Sequence, residues 1–261
     1  VKNIVNYITK IAMQINIKKY IPNSITSLNL LSGCISITLA FEGYLLYAVY
    51  MIFAAAIFDF FDGMSARLLN AYSVMGKELD SLADLVSFGV APSVIIFHMM
   101  KISLFGTVHL PPIENLTLSE FVFLIIPFII AILSGIRLAK FNVDERQSES
   151  FIGLAVPANA LFFVSMYIIS ISVTNNLVLG VLANKIFLSI LSILFSLLLV
   201  AEFPMFSLKV KNLSWSGNKI RYIFIVLSAI LLILLHTIAV PAIILLYILL
   251  SAINNWIYNF D

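Results

Sequence analysis

Charge is what this sequence has least of. Only 11% of its 261 residues are charged, against 62% that are apolar, a balance that excludes an ordinary soluble domain. The net charge of +2 gives no bulk field for nucleic acid, and no nucleic-acid partner is expected. A single cysteine, Cys34, rules out an intramolecular disulfide and a cysteine metal cluster. Set in an apolar run, Cys34 is expected to be a small core residue. Histidine is scarce too, with three copies, His98, His109 and His236. The first 20 residues are polar and basic, without the apolar stretch of a cleavable signal peptide, so insertion is expected to use internal spans. No alternating ten-residue barrel pattern, internal repeat, low-complexity segment or linker interrupts the chain.

What is abundant is long apolar sequence such as "IFLSILSILFSLLLV", enough for helices of about 20 residues to cross a bilayer. The expected fold is all-α: a polytopic membrane helical bundle of about eight transmembrane helices. The spans fall near 24–41, 45–67, 79–99, 119–139, 154–173, 183–202, 220–236 and 239–256. Only "LLHTIAVPA" separates the last two, and Pro241 there can kink one long helix or begin a new one. Residues 1–20 space Ile4, Ile8, Ile11 and Ile15 by three and four among lysines, which predicts an amphipathic helix in the membrane interface. Residues 21–261 then form one transmembrane domain. In "IPNSIT", Pro22 is expected to break the first helix, with Asn23 or Ser24 capping the next.

A cytoplasmic N-terminus puts all but two of the 15 basic residues on or near the inside, Lys101 and Lys185 being the exceptions. That bias predicts a multi-pass protein of the cytoplasmic membrane.

Against this background, "FDFFDGMSARLLNAYSVMGKELDSLADLVSFG" is anomalous. It holds Asp59, Asp62, Asp80 and Asp84 at the inner ends of spans two and three. Spacings of three and four put each pair on one helical face. An ionised carboxylate in the bilayer costs about 2.5–3.5 kcal/mol even on the lenient insertion scale. Arg67 and Lys77 are too few to neutralise four. A divalent cation is the natural compensation, and hard oxygen ligands suit Mg2+ or Mn2+. Gly63, Gly76 and the small Ala66 allow close approach of a phosphate-bearing ligand, and Arg67 can bind phosphate oxygens. Each also has a packing or snorkelling explanation.

The stretch fits D-x2-D-G-x2-A-R-x8-G-x3-D-x3-D through Asp59, Asp62, Gly63, Ala66, Arg67, Gly76, Asp80 and Asp84, and so resembles the CDP-alcohol phosphotransferase family. Its flanks, "IPNSITSLNLLSG", "RLAKFN" and "GLAVPANA", are similar to the phosphatidylserine synthase branch. Lys140 stands where that branch has arginine, and Ala155 where it has proline. The resemblance implies a six-helix catalytic core, a homodimer, and transfer of a phosphatidyl group from CDP-diacylglycerol to L-serine with release of CMP. It assigns Asp59, Asp62 and Asp80 to metal, two ions being implied. It makes Asp84 both a metal neighbour and the general base that takes the hydroxyl proton. Gly63, Ala66, Arg67 and Gly76 would lie against the CDP diphosphate.

The remaining assignments come from position. Arg137 and Lys140, followed by Asn142, are candidates for the acceptor carboxylate, although helix-end cations also anchor. Asn23, Thr26 and Asn29 lie at helical spacing and can face the nucleotide, or serve as caps and interhelical hydrogen bonds. The histidines fall at the other membrane face, so direct attack by the acceptor is expected rather than a covalent phosphoenzyme. Competing readings are another acceptor, such as glycerol 3-phosphate or an inositol phosphate, an ion-coupled transporter, and a structural scaffold. A transporter should distribute ionisable residues through the bilayer depth; here they gather at one face.

Overall fold

The computed structural model describes residues 20–144, 151–206, 215 and 218–258. The amphipathic helix expected over residues 1–20 lies outside these, except for Tyr20. The described residues are mostly helical, joined by turns and loops, with a two-residue antiparallel pairing of β1 (Phe151–Ile152) with β2 (Pro204–Met205).

In chain order the helices are α1 (Tyr20–Phe41), α2 (Leu45–Leu68), α3 (Val74–Asp84), α4 (Ala91–Phe105), α5 (Leu118–Ile125) and α6 (Ile129–Val143). Then come α7 (Val156–Ser172), α8 (Asn176–Leu182), α9 (Lys185–Val200), α10 (Lys219–Leu235) and α11 (Ala239–Tyr258). A π-helical segment, Leu85–Val90, joins α3 to α4, so Val74–Phe105 forms one span of 32 residues. Similarly, α5 and α6 run together through a 3-10 turn at Pro127 as Leu118–Val143.

All eight expected spans fall on helix. Five continuous stretches are long and apolar enough to cross a membrane, and a sixth would be α8 with α9, bent by 61°. The chain is thus a multi-pass membrane protein. Span 154–173 corresponds to the shorter apolar helix Val156–Ser172, and the last two expected spans form a single 38-residue stretch, Lys219–Trp256. Its break is at His236, with φ 45° and ψ −106°, followed by a 3-10 turn. Pro241 is no kink. It sits in the first turn of α11, where a missing N–H costs no helical bond.

Burial in α1 is inverted relative to a soluble helix. Its packed face carries Thr26, Asn29, Ser32, Gly33, Ser36 and Ala40, while Leu28, Leu31 and Ile35 are exposed. Small and polar residues let backbones approach closely where lipid gives no driving force for burying leucine. Two expectations fail for this reason or a related one. Cys34 lies on the outward face of α1 and is exposed, because the packed stripe passes through its neighbour Gly33. Asn23 and Ser24 do not cap α1, which is already helical at Tyr20; the Ser24 hydroxyl donates to the Tyr20 carbonyl at 2.8 Å.

α1 packs along α2, with Ser36 Oγ donating to the Ala48 carbonyl at 2.8 Å. The buried stripe of α2 runs Leu45, Ala48, Val49, Ile52, Ala55 and then Asp62. The face that makes an apolar core at one end therefore presents carboxylates at the other. The π segment is the hub of the bundle, packed by α1, α6 and α7. A Cβ on Gly33 would collide with Ser87 Oγ, and a Cβ on Gly89 would come within 3.1 Å of Ser134 Cβ. These two glycines set how closely α1 and α6 approach the segment that follows Asp84.

Candidate active site

The C-terminal end of α2 and the whole of α3 frame the site. After α2, Asn70 turns the chain with φ 47°, and Ser73 caps α3 by accepting from the Gly76 N–H at 3.0 Å. Both α2 and α3 pack against α1, and the two aspartate pairs converge as their spacing predicts. Carboxylate oxygens of Asp59, Asp62 and Asp80 all lie within 4.8 Å of one another. Asp84, one turn beyond Asp80, is outside that trio but lies beside Asp59. It is buried, and its Oδ1 accepts from the Asn29 carboxamide at 3.1 Å.

Whether this trio fits a metal can be judged from its own atoms. Asp62 Oδ2 and Asp80 Oδ1 are buried without any hydrogen-bond partner, and none of the four aspartates forms an ion pair with a described basic residue. Unpaired, closely spaced carboxylates repel one another. Three hard oxygen ligands in that space suit a divalent cation such as Mg2+ or Mn2+, and the cluster could hold one.

Beside the trio opens a cavity of about 1070 Å³, lined by Asn23, Thr26, Asp62, Gly63, Ala66, Arg67, Gly76, Asp80 and Asn142, all expected site residues. Tyr72, Ser73, Lys77 and Glu78 also line it. The two signature glycines differ in role. A Cβ on Gly63 would meet nothing within 4 Å, so its missing side chain leaves room in the cavity; one on Gly76 would lie 2.9 Å from both Asn23 Oδ1 and Ser73 Oγ, so a side chain there would displace Asn23 and the Ser73 cap. Thr26 is beside Asp62, and its hydroxyl donates to the Pro22 carbonyl at 3.0 Å. Arg67 is half-tethered, its Nε donating to the Gly63 carbonyl at 3.0 Å.

The three acceptor candidates on α6 part company. Lys140 donates to Glu202 Oε1 at 3.0 Å in an exposed ion pair, away from the cavity lining. Asn142 lines the cavity, yet its carboxamide donates to Ser81 Oγ at 2.9 Å and to Glu78 Oε2 at 3.4 Å. Arg137 alone is buried, at 7% exposure, stacked over Phe141, with Nε and Nη2 lacking partners and Asp84 within electrostatic reach.

Sequence reasoning underused two residues. Lys77 was legible only as a nearby cation, yet its ammonium donates to the Asn142 carbonyl at 2.9 Å and closes one wall of the cavity. Asn29, grouped with the nucleotide-facing polar residues, instead contacts Asp84 and does not line the cavity.

Comparison with known proteins agrees with this geometry. A family model described as CDP-alcohol phosphatidyltransferase matches residues 19–199, which cover α1 through most of α9. A CDP-diacylglycerol–serine O-phosphatidyltransferase of Bacillus subtilis is 36% identical over 160 residues, 61% of this chain and 79% of that protein. One from Helicobacter pylori is 35% identical over 154 residues, 58% of this chain and 59% of that protein. An archaetidylserine synthase of Methanothermobacter thermautotrophicus is 31% identical over 151 residues, 57% of this chain and 58% of that protein. The matches thus span less than two thirds of the latter two proteins.

Proposed function

This chain belongs to the CDP-alcohol phosphatidyltransferase family, and from that membership we propose that it transfers a phosphatidyl group from CDP-diacylglycerol to the hydroxyl of L-serine. The products are phosphatidylserine and CMP. The observation that carries this reading is the arrangement of the carboxylates: three within 4.8 Å of one another, and a fourth next to Asp59 and within electrostatic reach of a buried arginine with unsatisfied donors.

In the proposed reaction Asp84 takes the serine hydroxyl proton as that oxygen bonds to the phosphorus bearing the diacylglycerol oxygen. The bond from this phosphorus to the bridging oxygen breaks, and the electron pair leaves with CMP. Asp59, Asp62 and Asp80 hold the metal, Mg2+ or Mn2+ and two ions in this proposal. Bound there, it supplies positive charge against the negative charge that grows on the departing phosphate. Gly63 and Ala66 leave room for the diphosphate, and Arg67 offers it donors from the cavity wall. Asn23, Thr26 and Gly76 shape the nucleotide side.

Serine is favoured over a phosphorylated acceptor by the state of the cations. A phosphate monoester calls for a cluster of basic groups, whereas Lys140 is engaged by Glu202, which leaves Arg137 for a single carboxylate. The site is proposed to open to the cytoplasm, as the basic-residue bias implies, and the chain to work as a homodimer. The test is to supply purified protein with CDP-diacylglycerol and labelled serine, and in parallel with labelled glycerol 3-phosphate. Label in lipid only from serine is expected; label only from glycerol 3-phosphate would overturn the acceptor assignment.

A further inference from the structure

Asp84 is bonded to one buried polar group and within electrostatic reach of another, and the protein leaves both unfinished. The first is Asn29, with no exposed surface, whose Nδ2 donates to Asp84 and whose Oδ1 has no partner. The second is Arg137, whose Nε and Nη2 have none. Buried polar atoms are ordinarily satisfied, and those that are not carry a desolvation penalty that a ligand can remove.

The two groups have opposite hydrogen-bonding character. A guanidinium only donates, and so selects an anion. One amide N–H of Asn29 is held by Asp84, and the side-chain atom left without a partner is its carbonyl oxygen, which selects a donor. Asn29 is also fixed in place: its main-chain carbonyl accepts from Ser87 Oγ at 2.9 Å, and one turn further along α1 the Gly33 backbone is pressed against Ser87. The π segment that follows Asp84 therefore holds its asparagine neighbour in place. Neither group is among the residues that line the cavity beside the trio.

We propose that Asn29 Oδ1 receives the ammonium group of an α-amino acid acceptor while Arg137 takes its carboxylate, so that the side-chain hydroxyl meets Asp84 between them. The proposal rests on the serine transfer reading above and extends it: the site recognises a zwitterion by both charges. An alcohol with only one of them leaves either Asn29 or Arg137 unsatisfied.

The experiment measures kcat/KM for CMP release from CDP-diacylglycerol with three acceptors: L-serine, 3-hydroxypropanoate, which lacks the ammonium, and ethanolamine, which lacks the carboxylate. Unmodified protein should prefer serine over each analogue by at least about tenfold, the effect of one hydrogen bond to a charged group. In Asn29→Ala the preference over 3-hydroxypropanoate should collapse while that over ethanolamine persists; Arg137→Gln should do the reverse. An asparagine that only orients Asp84, or that ligates metal, would slow all three acceptors alike and leave the ratios unchanged, which overturns the proposal. Equal use of serine and 3-hydroxypropanoate by the unmodified protein overturns it as well, whether or not the variant folds. CMP release with another alcohol and none with serine would overturn the reaction assignment itself.

Discussion

Lys77 donates its ammonium to the main-chain carbonyl of Asn142 over 2.9 Å, and Asn142 donates its carboxamide to Ser81 at the same distance. These bonds tie the end of α6, which carries Arg137, to α3, which carries Asp80 and Asp84. The tie fixes the separation of the acceptor side from the metal side. Asn142→Ala removes the side-chain half of it, worth about 1 kcal/mol per hydrogen bond. We expect kcat/KM to fall about three- to tenfold for both CDP-diacylglycerol and serine. A rise confined to the KM for serine would mean that Asn142 touches the acceptor instead.

The trio of carboxylates makes a sharper demand. Asp80→Asn keeps the shape of the side chain and removes a charge from a group whose oxygens lie within 4.8 Å. Loss of metal-assisted charge stabilisation is expected to lower activity by about a thousandfold or more. The variant should still elute as the unmodified protein does on size exclusion. Near-normal turnover in Asp80→Asn would argue for a structural scaffold.

Two glycines separate packing from ligand space. Gly63→Ala adds a methyl group that meets no protein atom within 4 Å, so thermal stability should be unchanged while the KM for CDP-diacylglycerol rises. Gly33→Ala forces a methyl group into Ser87 and is expected to lower the yield of folded protein or its melting temperature, as overpacking does. Equal behaviour of the two variants would contradict these roles.

Lys140 is predicted to matter little. Its pair with Glu202 is exposed, and such pairs contribute at most about 1 kcal/mol. Lys140→Ala should leave kcat/KM for serine within about twofold. A tenfold loss would restore Lys140 as an acceptor ligand.

Much of the site was legible because it is local. Asp59 and Asp62 share one helical turn, Asp80 and Asp84 share another, and only a short turn separates the two helices, so spacing alone predicts convergence. Spans were legible because hydropathy marks them. What could not be read was anything set by distant pairing. Lys140 meets Glu202 across 62 positions, and Asn29 meets Asp84 across 55. The π segment has no signature in its apolar "LVSFGV", yet its Ser87 packs against α1 at Gly33 and bonds to Asn29. Cys34 was misjudged because an apolar neighbourhood means burial in water, whereas in a membrane the packed stripe of α1 is the small and polar one.

The most direct test of the account is metal-dependent lipid synthesis by the purified chain. Label from L-serine should enter lipid, with equimolar CMP release, only when CDP-diacylglycerol and a divalent cation are both present. Chelation should abolish both signals, and added Mg2+ or Mn2+ should restore them. Unchanged incorporation of serine after exhaustive chelation would contradict the central claim that Asp59, Asp62 and Asp80 work through a bound metal.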